Sequence, residues 1–196
     1  RRNLKYVSII LVYCSIIYSS QVDSPIKLCL LRVSFQEDSL PSTTGNGKFL
    51  KQGEGIDCSR HTIDNAPHDK GYFSSQIHAL DSYLQSVSYG QMAIDINNSD
   101  IYPLESFGSY ELDTTMNYYN PYDAVEIQDK RLTELFRDAL EKSSVESNIQ
   151  FNDYDVIVVF HAGIGQDFSL PFLDPTPEDI PSTYIDKKMI EENMND

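Results

Sequence analysis

Hydrophobic residues in this chain fall into two patterns: short runs with almost no polar interruption, and repeats spaced by three and four. Residues 26–35 (IKLCLLRVSF) are the first such run, which predicts a central strand buried on both faces. Residues 153–161 (DYDVIVVFH) are the second. Positions 156–160 are all β-branched or aromatic, so this strand too is expected to be central, and a neighbour or near neighbour of the first in one sheet. Between them, Phe73, Ile77, Leu80, Leu84 and Val87 mark one face of an amphipathic helix, with Asp69 as its N-cap and Gly90 as its stop. Leu132, Leu135, Phe136, Ala139 and Leu140 mark a second, started by Asn120 as cap and Pro121 at the first position, and ending near Lys142.

Weaker signals fill the intervals. Residues 91–97 (QMAIDIN) alternate and read as a strand leading out of the first helix, and residues 109–112 as another short one. Gly45-Asn46-Gly47 is a turn, beside which residues 48–50 and 55–57 are expected to make a small hairpin. Asp186 caps a last helix that runs through Met194. The order is strand, helix, strand pair, helix, strand, short helix. That is an α/β (α+β) layer, with two main amphipathic helices packed on a twisted mixed sheet.

The amino-terminal end has a different pattern. Arg1, Arg2 and Lys5 precede an apolar stretch over residues 7–17, and Ser19, Ser20 and Gln21 follow it. That order predicts an export signal over residues 1–20, with residues 21–196 as the mature part. The stretch is too short for a membrane span, and Tyr13 before Cys14 does not fit lipid attachment. A secreted or extracellular location is therefore expected.

Composition sharpens this picture. The 196 residues carry 30 acidic against 15 basic side chains, a formal charge of −15, and the chain is more acidic still without the signal. That balance argues against nucleic acid or anionic lipid as partner, because both need positive faces. Cys29 and Cys58 remain in the mature part; they either pair outside the cell or leave Cys29 as a small apolar core residue. No Cys-x-x-Cys motif is present, so there is no thiolate zinc framework.

Candidate chemistry centres on His161-Ala-Gly-Ile-Gly-Gln-Asp167. A histidine at the end of a buried strand, followed by Gly163 and Gly165, stands where open α/β sheets place ligands. It reads equally as a hydrogen-bonded histidine that ends a strand. The two glycines begin a dinucleotide fingerprint, but Phe168 occupies the third glycine position. There is no Gly-x-Ser-x-Gly elbow. Glu37-Asp38, Asp153, Asp155, Asp167, Asp174, Glu178 and Asp179 are candidate calcium-binding or simply solvated loop acids, and none matches an EF-hand. His61, His68 and His78 are scattered without a His-Glu-x-x-His pair, so neither a catalytic residue nor a metal ligand is assigned.

Several ordered segments nonetheless resemble one family. Residues 33–38 (VSFQED), 43–49 (TTGNGKF), 68–73 (HDKGYF), 83–92 (YLQSVSYGQM), 116–119 (MNYY), 154–165 with its VVFHAGIG string, and 179–182 (DIPS) follow the order seen in secreted metallopeptidases of the immune inhibitor A family. The likeness covers about residues 26–186. It implies a zincin-like N-terminal layer of a catalytic domain, acting on protein or peptide substrates. In that family a His-Glu-x-x-His helix follows this region and supplies zinc ligands and general base, and this chain ends before any such helix. The resemblance therefore implies a piece of a longer enzyme. Zinc would be held by the C-terminal remainder of the same polypeptide, and the piece alone would be inactive. His161, Gly163, Gly165 and Asp167 would then be structural supports beside the cleft. The alternative is a non-catalytic extracellular domain that keeps the fold for binding or adhesion.

Overall fold

The computed structural model describes residues 24–51, 66–122, 124–166 and 174–194. The expected signal segment, the 55–57 arm of the hairpin, Cys58, His61, Asp123 and Asp167 lie outside the described residues. Strand β1 (Leu28–Ser34) is followed by helix α1 (Lys70–Val87), strands β2 (Asp100–Tyr102) and β3 (Tyr110–Glu111), helix α2 (Val125–Ser147), strand β4 (Val156–His161) and helix α3 (Lys187–Asn193).

β1 is the centre of the sheet. Along one edge it pairs with β4 from Leu28↔Val156 to Val33↔His161. Along the other it pairs with β2 through Cys29↔Asp100 and then with β3 through Val33↔Tyr110, the two short strands lying end to end. Every described pairing is parallel, where the sequence had suggested a mixed sheet. The α/β layer with helices on a sheet is as expected.

The alternation along β1 explains the two cores. Leu28 and Leu30 pack with Phe73 and Ile77 of α1, joined by Val158 and Phe160 of β4. Cys29, Leu31, Val33 and Phe35 pack with Leu132, Leu135 and Ala139 of α2, joined by Ile157 and Val159. Successive side chains point to opposite faces and both faces carry a helix. All seven residues of β1 are therefore buried. Among the described residues no helix is long and apolar enough to cross a membrane.

Local chemistry accounts for the remaining agreements and departures. Asp69 caps α1, accepting from the Tyr72 N–H, and Asp186 caps α3, accepting from the Met189 N–H. Tyr89 and Gly90 close α1 in left-handed backbone, φ 56° and 77°. The α1 stripe is buried only at Phe73 and Ile77, while Leu80 and Val87 are exposed. The expected strand over residues 91–97 shrinks to a single bridge, Ile26↔Ile94. Asp95 accepts from the Asn98 N–H and bends the chain into a 3-10 turn, so the strand forms later, at Asp100.

α2 departs at both ends. It begins at Val125 without a side-chain cap, and Asn120 is not its cap. Asn120 is instead buried, donating to the Asp179 carbonyl at 2.7 Å and accepting from Gln128 at 2.9 Å. The helix also runs past Lys142 to Ser147, ending on left-handed Asn148. Small serines rather than apolar residues hold the last turns: Ser143 is buried, and Tyr110 donates to Ser147 at 2.6 Å. β4 is not central. Its alternate residues pack against the two cores, Ile157 and Val159 on the α2 side and Val158 and Phe160 on the α1 side, but among the described residues β1 is its one partner, Val156 is exposed and the rest are only partly buried.

Candidate functional site

From β1 the chain crosses to β2 and β3 on one side, and later to β4 on the other. In open parallel sheets such a reversal opens a crevice outside the carboxyl ends of the strands, where ligands bind. Here it falls between the loops that follow β1 and β4, and His161 stands at its rim. The imidazole Nδ1 donates to the Ala162 carbonyl at 3.0 Å, which fixes that nitrogen as the protonated one. Its ring lies 6.2 Å from Phe35, which in turn lies 5.7 Å from Tyr119.

Gly163 is the tightest point. Its φ of +98° belongs to glycine, and a Cβ there would stand 2.7 Å from Met116 Sδ and 3.3 Å from the Thr44 carbonyl. Gly165 does not share the left-handed φ and serves as a link between this turn and Gln166. Gln166 ties the β4 loop to residues 174–180: its N–H donates to Ile180 O at 3.0 Å, and its amide to Asp174 at 2.7 Å.

Residues 36–48 close the same edge. Asp179, nearly fully buried, accepts from the Thr44 N–H at 2.6 Å and from the Thr44 hydroxyl at 2.5 Å. Glu178 accepts from Ser42 and from the Tyr122 N–H, and Asp174 also accepts from the Thr176 N–H. The oxygens of Asp174, Glu178 and Asp179 are thus engaged by protein donors. Glu37 accepts from Asn46, Asp38 from the Leu40 N–H and Asp155 from the Lys27 N–H. Among the described residues no three His, Cys, Asp or Glu side chains stand together so as to hold a metal ion. Of the four candidates, His161 and Gly163 sit in the packed rim, Gly165 adjoins it, and Asp167 is not described.

A cleft of about 740 Å³ opens at the same carboxyl edge, on the α1 side of β1 and β3. Ser34, Lys48, Phe49, His68, Phe107 and Glu111 line it. Lys48 reaches across its floor, donating to the Phe35 carbonyl at 2.6 Å and pairing with Glu111. The hydrogen bond from Lys48 holds the Glu111 carboxyl below the usual carboxylate range, against a smaller opposing effect of burial.

One wall depends on Arg32. It is fully buried on the α1 face of β1, and its guanidinium donates to the carbonyls of Pro103, Glu105 and Ser106 at 2.5, 2.6 and 2.7 Å. Burial pulls its pKa down from the ordinary value, opposed by Asp69 and Glu105. The clamp places Phe107 at the cleft. Sequence reasoning passed over Arg32, Lys48 and Glu111. A single arginine inside a run otherwise fit for burial was the available signal, because a buried cation needs acceptors. Lys48 and Glu111 are far apart in the chain and gave none.

The arrangement offers a packed rim and, beside it, a cleft lined by charged side chains of both signs together with Phe49 and Phe107. Comparison with known proteins gives no matching family model, no matching curated protein and no matching solved structure.

Proposed function

We propose that this chain is the N-terminal, substrate-side layer of the catalytic domain of a secreted zinc endopeptidase, exported through residues 1–20. One observation carries the reading. Most of the segments that resemble the immune inhibitor A family converge on one edge of the sheet, although they are scattered in sequence. Residues 33–38, 43–49, 116–119, the turn after β4 and residues 179–182 meet there. The contacts are Phe35 N–H to Gly47 O at 2.8 Å, Thr44 to Asp179, Gly163 against Met116, and Gln166 to Ile180. The cleft lined by Ser34, Lys48, Phe107 and Glu111 adjoins that edge.

In the family that the sequence resembles, a His-Glu-x-x-His helix follows this region, and the reading places the zinc ligands and general base on such a helix. Zinc held there would activate a water for peptide-bond hydrolysis. In this chain Gly163, Met116 and Asp179 hold the rim, and Arg32 holds the cleft wall. The second reading is a non-catalytic extracellular domain that keeps the fold for binding or adhesion.

The deciding experiment reads the coding sequence past Asp196 and expresses the longer protein. A His-Glu-x-x-His motif, stoichiometric zinc and casein cleavage abolished by a chelator are expected. A stop codon or a substituted motif, or an intact protein without zinc, overturns the enzyme reading and leaves the binding module.

A further inference from the structure

The amino end of the sheet carries a modification signal of its own. Asn97-Asn98-Ser99 is an Asn-x-Ser tripeptide without proline in the middle, the acceptor pattern for an N-linked oligosaccharide. No other asparagine of the chain has Ser or Thr two residues on. So short a pattern also arises by chance, and its place in the fold decides what it means. The tripeptide lies on the 3-10 turn Ile96–Asn98 that leads into β2. Every described strand pairing is parallel, so this turn belongs to the end of the sheet where Ile94 bridges Ile26 and Leu28 begins β1. The cleft lies at the other end, beyond Ser34, and β1 spans about 20 Å between the two.

The two asparagines are both exposed but differ in duty. Asn98 builds the turn: its side-chain amide donates to the Asp95 carboxylate at 2.8 Å, and its backbone N–H donates to the same group at 3.2 Å. The Asn97 amide has no hydrogen-bond partner among the described residues. An exposed turn side chain that the fold does not use is where a bulky, solvated group is carried without disturbing the packing. Ser99 is the opposite case. Its hydroxyl accepts from the Leu28 N–H at 2.9 Å and donates to the Asp95 carbonyl at 2.7 Å, which ties the start of β1 to the turn. A transferase that reads this hydroxyl finds it available only before β1 and β2 have paired. That is the state of a chain still entering a secretory compartment.

We propose that Asn97 carries an N-linked oligosaccharide on the exported chain, at the end of the sheet away from the cleft. The donor is a lipid-linked pyrophosphoryl oligosaccharide. The Asn97 Nδ2 forms a bond to its anomeric carbon, and the bond from that carbon to the pyrophosphate oxygen breaks. The lipid pyrophosphate leaves with the electron pair, and Nδ2 gives up one proton, so nothing is oxidised or reduced. This rests on the reading above only for export; it requires neither zinc nor catalysis.

Expression of the 196-residue chain in mammalian cells tests it, once with its own start and once behind a supplied secretory leader. Glycan is read on the cell extract as well as the medium, so that a product held back by misfolding is still counted. Peptide N-glycosidase in heavy-oxygen water should remove one oligosaccharide and leave the mass label at residue 97. The shift should vanish in Asn97→Gln. It should survive in Ser99→Thr, which keeps both the motif and the hydroxyl that bonds Leu28. An unmodified Asn97 in the chain delivered by the supplied leader overturns the inference, even if the chain's own start exports it. Modification behind the supplied leader, with the own-start chain left in the cytosol, sustains the acceptor while the export reading falls. An oligosaccharide that persists in Asn97→Gln sits on another residue and overturns the assignment.

Discussion

Gly163 and Met116 are in mutual contact across the rim of the sheet, with the position of a Cβ on Gly163 only 2.7 Å from Met116 Sδ and 3.0 Å from Cε. Met116 is fully buried, so it cannot swing into solvent to make room. The two residues belong to different loops, and the glycine is what lets those loops touch.

Gly163→Ala should therefore cost stability twice. Left-handed backbone at an alanine costs about 1–2 kcal/mol, and the forced overlap adds about 1–3 kcal/mol. Denaturant unfolding of Gly163→Ala, Met116→Ala and the double variant separates the two costs. The double variant should be less destabilised than the sum of the singles, since shortening Met116 removes the overlap but not the strain. Strict additivity would show that the contact is not made.

Arg32 gives a second prediction. Arg32→Met strands the carbonyls of Pro103, Glu105 and Ser106 in a buried setting, and should destabilise by about 3–5 kcal/mol. Arg32→Lys keeps the charge but not the planar fork, so it should recover less than half of the loss. Limited proteolysis within residues 103–108 should speed up in both variants. Unchanged cleavage there would detach Arg32 from the cleft wall.

The sequence showed the layers of this fold more readily than the order within them. β1 and β4 were legible as strands because apolar runs report cover on both faces. A run says nothing of how many strands flank it, so β4 was mistaken for central. Asp69 and Asp186 were legible as caps because a cap is satisfied by N–H groups two or three residues away. Asn120 offered the same local signature, but the Asp179 carbonyl, remote in sequence, captured its amide. The rim was half legible in the same way. Gly163 announced a tight turn, while its neighbours Met116, Thr44 and Asp179 are brought there only by the tertiary fold.

Acid should act weakly on the Lys48–Glu111 pair. Glu111 has a lowered pKa, so its contribution is present above the ordinary carboxylate value and is lost as pH falls through the folded one. The carboxylate side chain is 51% exposed, and solvent screening keeps such a pair below about 1 kcal/mol. Glu111→Gln should thus lower stability only slightly near neutral pH, and high salt should erase the difference. A larger, salt-independent loss would mean that Glu111 does more than pair with Lys48.

Alkali should act through Cys29. The thiol is fully buried in β1, and burial pushes its pKa from 9.0 up to about 12, with Asp100 adding a smaller effect in the same direction. Between those values the unfolded chain releases a proton that the folded chain retains, so the unfolded state binds fewer protons and stability falls as pH rises. The contribution is fully present below pH 9.0 and declines toward pH 12. Buried tyrosines such as Tyr110, whose pKa burial also raises, steepen the same limb, so the thiol must be isolated by difference. Cys29→Ala should lose about 1 kcal/mol or more to the smaller side chain at neutral pH, yet show a shallower alkaline decline than the parent. Alkylation gives an independent check. Cys29 should resist iodoacetamide in the folded chain at mildly alkaline pH and react on addition of denaturant, because both access and thiolate are withheld by the sheet. Rapid labelling of Cys29 in the native protein, or parallel alkaline limbs for parent and variant, would contradict the burial of this thiol between β2 and β4.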